Sequence, residues 1–406
     1  MVVGLLLNFM TEKLILLLMP IKCRKIDINR YEIKEYEKIF NYKVEIHELI
    51  NFLHPGFEKS FMNNVKDKRL KSFYNFKKWK EYYLKLKIKY GKNILIIKNI
   101  SNNNLISLKL NLFLKKNNAK IIEYSTNQFP INQEKKNFFN LIENLVYSLF
   151  FNPRKIVLYF LQNFLIFIGK LLNLFPTYLI KTGSKSFAHI KFQKNIKIIN
   201  GNSFDYNMYL KSKIKKTINK NYGLFLEAPT PLFSGDIYID GEKSNARGTP
   251  EKWFPSLDKF FTKIEKLKKI KIMIVPHPKI KHKKNKPNYY FGRKIVSESL
   301  ANLAKNSSVI ISRDSAGFSY AAIHNKPAIF IYTNELLNKK NFFLNNQRFF
   351  ASELGLNPIN IDNYLNDKNL EQLFKFDKKK YHLYVKQYLT SRNDKKSNCE
   401  LIGKLI

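Results

Sequence analysis

Lys271-Ile-Met-Ile-Val275, cut short by Pro276-His277-Pro278, opens the stretch whose reading decides the fold. After a basic loop, Lys294 to Lys305 carries Val296, Leu300 and Leu303 at helical spacing. Val309-Ile-Ile311 is a second apolar run, halted by Ser312-Arg-Asp-Ser-Ala-Gly317. Phe318 to His324 reads as a short helix, and Lys326-Pro327 turns the chain into Ala328-Ile-Phe-Ile331, which ends at Tyr332-Thr-Asn-Glu335. Strand, helix, strand, helix, strand is a βαβαβ unit, so the predicted sheet is parallel with right-handed crossovers. Ligands of such sheets bind beyond the carboxyl ends of the strands. Here three successive ends carry His277, then Ser312, Asp314 and Ser315, then Thr333 and Glu335. Serine and aspartate also cap helices and proline also makes turns; one such end would say little, three together say more.

The pattern of strand, His277-Pro278, strand, Ser312-x-x-Ser315, helix, Lys326-Pro327, strand resembles the C-terminal half of bacterial surface-polysaccharide biosynthesis proteins. These are related to the GT-B glycosyltransferases of capsule and lipopolysaccharide assembly, Kdo- and sialic-acid-transferring enzymes among them. Phe204-Asp-Tyr-Asn-Met-Tyr-Leu210, Phe225-Leu-Glu-Ala-Pro-Thr-Pro231 and Ser256-Leu-Asp-Lys-Phe-Phe261 are similar to that group too, so the likeness covers about 185 to 340. It implies an α/β protein with two Rossmann-like domains facing a cleft, their parallel sheets flanked by helices. It further implies metal-independent sugar transfer from a nucleotide-sugar donor, with His277 on the donor phosphate. The acidic-acidic-Gly motif that supplies the base in related enzymes has no counterpart in the N-terminal half. Asp240-Gly241-Glu242 is similar in composition but lies in the other half.

The residues fit that chemistry directly. Helix N-termini hold phosphates through free N–H groups and the helix dipole. Ser315 to Gly317 leads into such a terminus, with the Ser312 and Ser315 hydroxyls and Asp314 beside it. An imidazole next to a phosphate is drawn toward its charged form, so His277 suits stabilisation of a leaving group. Glu335 can accept two ribose hydroxyls or cap a helix, with Thr333 alongside. Glu227 ends its own strand and places a carboxylate on the same rim. His277 and Glu227 are therefore the catalytic candidates, and Ser312, Asp314, Ser315, Gly317, Thr333 and Glu335 the binding candidates. No Asp-x-Asp stands in the right context and the seven His do not cluster, so neither a metal nor a cofactor is expected beyond the nucleotide-sugar substrate.

Composition bounds the rest. Hydrophobic content of 45% with 34 Phe and 23 Tyr excludes a disordered chain, and 406 residues suffice for two cored domains. A net charge of +41 ordinarily suggests a polyanionic partner, although Lys, Asn and Ile are the residues of A/T-rich codons and codon bias explains part of it. The excess is 63 Lys against nine Arg, however, and base readout relies on arginine forks, which argues against nucleic acid. An anionic membrane surface or a nucleotide-linked substrate suits it better. Two cysteines, Cys23 and Cys399, give neither a disulfide framework nor a metal spacing and point to a reducing cytoplasm.

Along the chain, residues 1–25 read as an apolar leader, interrupted by Thr11-Glu12-Lys13 and left without a structural assignment. Residues 26–185 read as an acceptor-side α/β domain. It contains a strand near Val44 to Leu49, strands at Asn93-Ile-Leu-Ile-Ile97 and Lys120-Ile-Ile-Glu-Tyr124, and a helix from Leu105 to Lys116. Ile156 to Phe175 is long enough to span a bilayer, but Lys155, Gln162, Asn163, Lys170 and Asn173 share one face. Spanning would place Lys170 in lipid at a cost of about 2.5–3.5 kcal/mol, so an amphipathic helix packed on the protein, with one side toward a membrane, is preferred. Residues 186–370 read as the nucleotide-sugar domain: Thr182 to Ser186 approaches the hinge, and Ile196 to Ile199 is taken as a strand of the second sheet. Pro255 to Lys269 reads as a helix with Leu257, Phe260, Phe261 and Ile264 inward. Residues 371–406 read as C-terminal helices and tail.

The expectation is thus a glycosyltransferase-like protein acting in the cytoplasm, peripheral to the inner membrane, on a nucleotide-sugar and a glycan or lipid-linked acceptor. A nucleotide-sugar epimerase of the same architecture and a non-catalytic binding subunit of polysaccharide assembly or export are the alternatives.

Overall fold

Among the described residues every strand pairing in the two sheets is parallel. The computed structural model describes residues 12–56, 65–125, 129–130, 153–186, 196–212, 221–233, 248–280, 289–337, 342–363 and 366–405. The first sheet holds β1 (Leu14–Met19), β2 (Lys43–Glu48), β3 (Leu70–Ser72), β4 (Ile94–Lys98), β5 (Lys120–Ser125), β6 (Tyr178–Lys181) and β7 (Lys197–Asn200), in the order β3-β2-β1-β4-β5-β6-β7. The second holds β8 (Tyr222–Leu226), β9 (Lys271–Val275), β10 (Val309–Ser312), β11 (Ala328–Tyr332) and β12 (Ile359–Asn360), in the order β12-β11-β10-β8-β9.

A parallel sheet covered on both faces needs strands that are apolar on both sides. In β1, Ile15, Leu17 and Met19 enter one core while Leu14, Leu16 and Leu18 enter the other. In the second sheet, Leu224, Ile310 and Phe330 face one core, and Phe225, Ile311 and Ile331 its opposite. Helices cover these faces: α1 (Lys25–Arg30), α2 (Ile33–Phe40), α3 (Phe76–Tyr90), α4 (Leu105–Lys116) and α5 (Pro153–Leu171) accompany the first sheet. After α6 (Phe204–Lys211) come α7 (Pro250–Lys268), α8 (Leu300–Asn306), α9 (Ser319–His324) and α10 (Phe342–Glu353). The molecule is therefore α/β, two parallel sheets flanked by helices, as expected.

Four readings are corrected. Leu14 to Met19, inside the supposed leader, is an interior strand of the first sheet, between β2 and β4, and is buried along its whole length. Lys197–Asn200 pairs with β6, not with the second sheet; a four-residue strand says nothing about which sheet it joins, and this one is an exposed edge. The predicted helix over Lys294 to Lys305 begins only at Leu300, because Lys294 to Val296 runs beside β9, with hydrogen bonds from Ile274 N–H to the Lys294 carbonyl and from Val296 N–H to the Ile274 carbonyl. The helix expected from Pro255 starts at Pro250, with Pro255 inside it.

The chain crosses between sheets twice. Beyond β7, Asn202 and Ser203 meet the returning segment at Thr390 and Leu389. The supposed hinge lies against the same segment: Lys185 N–H donates to Gln387 O at 2.8 Å and Thr182 Oγ1 to Tyr388 O at 2.9 Å. Helix α11 (Lys378–Tyr384) packs in the second sheet's core through Tyr381 and Tyr384. Helix α12 (Asn398–Ile402) returns to the first sheet's core through Cys399 and Ile402.

Candidate functional site at the facing sheet edges

The carboxyl ends of the two sheets face each other. Ile21 after β1 and Ile50 after β2 share a cluster with Phe233 after β8 and Ile280 after β9. Phe129 after β5 stacks edge-on against Phe350 of α10, centroids 5.0 Å apart. In the second sheet the chain leaves β8 toward β9 on one side and resumes at β10 on the other. That reversal, between β8 and β10, is a topological switch point, at whose crevice open α/β sheets bind ligands.

His277 sits half-buried in the turn after β9. Its backbone N–H donates to Glu227 Oε2 at 2.9 Å, and its Nδ1 accepts the Lys279 N–H at 3.2 Å. With Nδ1 accepting, the neutral ring carries its hydrogen on Nε2, the form that donates to a phosphate oxygen. Glu227 is 4% exposed and also accepts from the Tyr290 hydroxyl. Burial, then the neighbouring Glu227 charge, push the Tyr290 phenol far above its ordinary value, so it stays a donor. Glu227 thus anchors the His277 turn through Oε2 and ties it to Tyr290 through Oε1.

Beyond β10 the predicted residues divide. Ser312 is fully buried and its hydroxyl donates to Leu226 O at 2.8 Å, tying β10 to β8 rather than facing the crevice. Ser315 is half-buried and caps the turn Ala316–Phe318, its Oγ accepting the Gly317 N–H at 3.1 Å. Gly317 is closely packed: a β-carbon there would lie 2.7 Å from Leu226 Cδ1 and 2.8 Å from Leu300 Cδ2, so one of those side-chain tips would have to move. Asp314 is half-buried, with Oδ2 3.4 Å from the Arg313 guanidinium.

Arg313 was not singled out by the sequence reading. It is 4% exposed, lies over the Trp253 ring and bonds the Thr230 hydroxyl, joining the β10 loop to the β8 loop at the crevice. Its carbonyl accepts from Gln347 Nε2 at 2.6 Å, which also bonds Ile331 O. Only the strand order could have exposed this arginine, because it places Thr230 and Arg313 side by side.

Past β11, Thr333 is 1% exposed and its hydroxyl finds no hydrogen-bond partner. Glu335 accepts from the Thr249 amide at 3.1 Å and the Thr249 hydroxyl at 3.0 Å, at the start of α7. It lines a cavity of about 530 Å³ with Glu251, Lys252, Ser256, Asn334 and Asp362. The order β11-β10-β8-β9 therefore lays Glu335, Ser315, Glu227 and His277 along one edge. Three strand spacings separate its ends, about 14 Å. Asp240 and Glu242 lie outside the described residues. Among the described residues no group of three His, Cys, Asp or Glu could hold a metal.

No protein-family model matches the chain, and no curated protein matches it in sequence. Solved structures do match. The UDP-GlcNAc 2-epimerase from Methanocaldococcus jannaschii is similar at 16% identity and a TM-score of 0.44, covering 97% of this chain and 99% of that one. The S. aureus MnaA-UDP co-structure is similar at 14% identity and 0.47, over 92% and 91%. The wall teichoic acid polymerase TagF is similar at 12% identity and 0.49, over 97% and 88%.

Proposed function

We propose that the chain is a GT-B-type glycosyltransferase that binds a nucleotide-sugar along the second sheet's edge and passes the sugar to a glycan or lipid-linked acceptor during surface-polysaccharide assembly. The carrying observation is the placement of His277, fixed through its own amide by buried Glu227, on the edge that ends at Glu335. A nucleoside diphosphate sugar is long enough to lie along that edge, with ribose toward Glu335 and the scissile phosphate toward His277. As the sugar–phosphate bond breaks, its electron pair stays on the phosphate oxygen, and His277 Nε2–H stabilises that charge. The acceptor oxygen forms the new bond to the sugar carbon and releases its proton to solvent or a base. Glu227 acts here by positioning, and Arg313 by holding the β8 and β10 loops together.

One observation favours a second reading, binding without turnover: Glu227 and Glu335 both serve structural donors, which removes them as bases. Purified protein incubated with CMP- and UDP-sugars and acceptor separates the readings. Nucleotide release lost in His277→Ala supports transfer. Conversion of the nucleotide-sugar to an isomer without net release would indicate an epimerase. Saturable binding with neither product would indicate a binding subunit. The membrane side of the reading, a protein peripheral to the inner membrane, has its own support in α5.

A further inference from the structure

Helix α5 turns its apolar side outward. Val157, Phe160, Leu161, Phe164, Phe167 and Leu171 are all exposed, from 43% for Leu161 to 65% for Val157. At 100° per residue these six fall within about a third of the helix circumference. The side next to the stripe, beyond Leu161, seats the helix: Leu165 is 2% exposed, and a β-carbon on Gly169 would lie 2.2 Å from Asn102 Nδ2. Soluble surfaces scatter large apolar side chains singly, whereas a contiguous stripe marks an interaction site.

The sequence that contains α5 is basic throughout. Between Glu143 and Asp205 the sequence holds no Asp or Glu, against eight Lys or Arg. Lys170 is exposed on α5 itself, and Lys115 Nζ donates to Leu172 O at the helix end. There Lys115, Lys120 and Lys98 line a cavity of about 340 Å³ with Leu174 and Phe175; Lys98 is paired with Glu123, leaving the other two to set its sign. Among the described residues no helix is long and apolar enough to cross a membrane. An apolar stripe with a cationic border on a non-spanning helix is the arrangement that lies in a bilayer interface, with anionic headgroups at the cations.

We propose that the outward face of α5 docks on an anionic phospholipid surface, Phe160, Phe164 and Phe167 entering the acyl boundary while Lys170, Lys115 and Lys120 meet headgroup phosphates. This deepens the membrane side of the functional reading and is tested apart from it, with no nucleotide-sugar present. Full-length protein is sedimented with phosphatidylcholine vesicles, with or without phosphatidylglycerol. Partitioning should be at least tenfold stronger with phosphatidylglycerol and fall at least tenfold in Phe160→Glu/Phe164→Glu/Phe167→Glu. Lys115→Glu/Lys170→Glu should erase the phosphatidylglycerol preference. Phe164→Trp gives a readout that does not depend on the triple variant folding: its emission should shift to the blue on phosphatidylglycerol vesicles and stay unshifted without them. Equal partitioning of wild type and triple variant, or no blue shift, overturns the proposal. So does a wild-type dimer in sedimentation velocity that the triple variant disperses while vesicle binding is absent, since the face would then belong to a second copy.

Discussion

Replacing Glu227 by alanine should cost about 3 kcal/mol of folding stability, and more of the site than of the fold. The carboxylate is 4% exposed and accepts the His277 amide at 2.9 Å and the hydroxyl of Tyr290, itself 2% exposed. Hydrogen bonds to charged groups contribute about 1.5–3 kcal/mol each, and removing the acceptor strands two donors. Release from burying the charge offsets part of the sum, which leaves about 3 kcal/mol. Glu227→Gln should cost about half as much, because the amide oxygen still accepts one donor while its NH₂ faces the other. Urea titration reads the difference as a shifted midpoint at unchanged slope. Coupled to Tyr290→Phe in a double-mutant cycle, Glu227→Gln should show an interaction of about 1 kcal/mol or more. The neutral Tyr290 phenol adds a pH signature. Burial raises its folded pKa, so its contribution is complete below about pH 10 and is lost as pH rises beyond the value of the unfolded chain. An alanine variant within 1 kcal/mol of wild type, or indistinguishable from the glutamine variant, would refute the anchoring role.

Gly183→Ala should destabilise by about 3 kcal/mol, since a β-carbon would meet the Gln387 carbonyl oxygen at 2.2 Å, and backbone cannot turn aside as a side-chain tip can; a thermal midpoint equal to wild type would count against the crossing described above. On the acid side, burial pushes the Glu45 carboxyl up, but hydrogen bonds from His47 and Lys71 outweigh it and hold the group down at about 2. Its stabilisation, about 2 kcal/mol, is full above the unfolded value near 4.3 and is lost as pH falls toward 2. Glu45→Gln should flatten that part of the stability–pH profile, and an unchanged slope would sink the assignment.

How much of this was legible depended on what each residue's neighbours were. Lys271–Val275, Val309–Ser312 and Ala328–Tyr332 were readable because short apolar runs bounded by Pro, Ser or other turn-forming polar residues signal buried parallel strands. Their shared edge placed His277 and Glu227 correctly beside each other. Leu14–Met19 escaped because a strand buried on both faces has no alternation and looks like any apolar leader. Ser312 was readable as a strand end, but not as a hydroxyl turned to Leu226 in the next strand. Arg313 was invisible for a topological reason: its partner Thr230 lies 83 residues earlier, and only the order β10-β8 joins them.

The same limit hid what joins the two sheets. In a chain of net charge +41, carboxylates are scarce, with 31 Asp and Glu against 72 Lys and Arg. Several sit in the seam. Asp205 of α6 accepts the Ser319 hydroxyl of α9 at 2.8 Å and lies 4.0 Å from Arg30 of α1. Glu32, 1% exposed, holds Lys211 at 2.6 Å and the Cys399 amide at 2.7 Å. Glu353 of α10 takes Lys185 and the Tyr388 hydroxyl, each at 2.8 Å. Each carboxylate connects segments far apart in sequence, and the first two are buried where salt screens weakly. Repulsion among surface lysines works against compactness, whereas these buried links work for it over the shortest distances. The two carboxyl edges are thereby held facing each other by the fold itself, with the His277 turn on one of them.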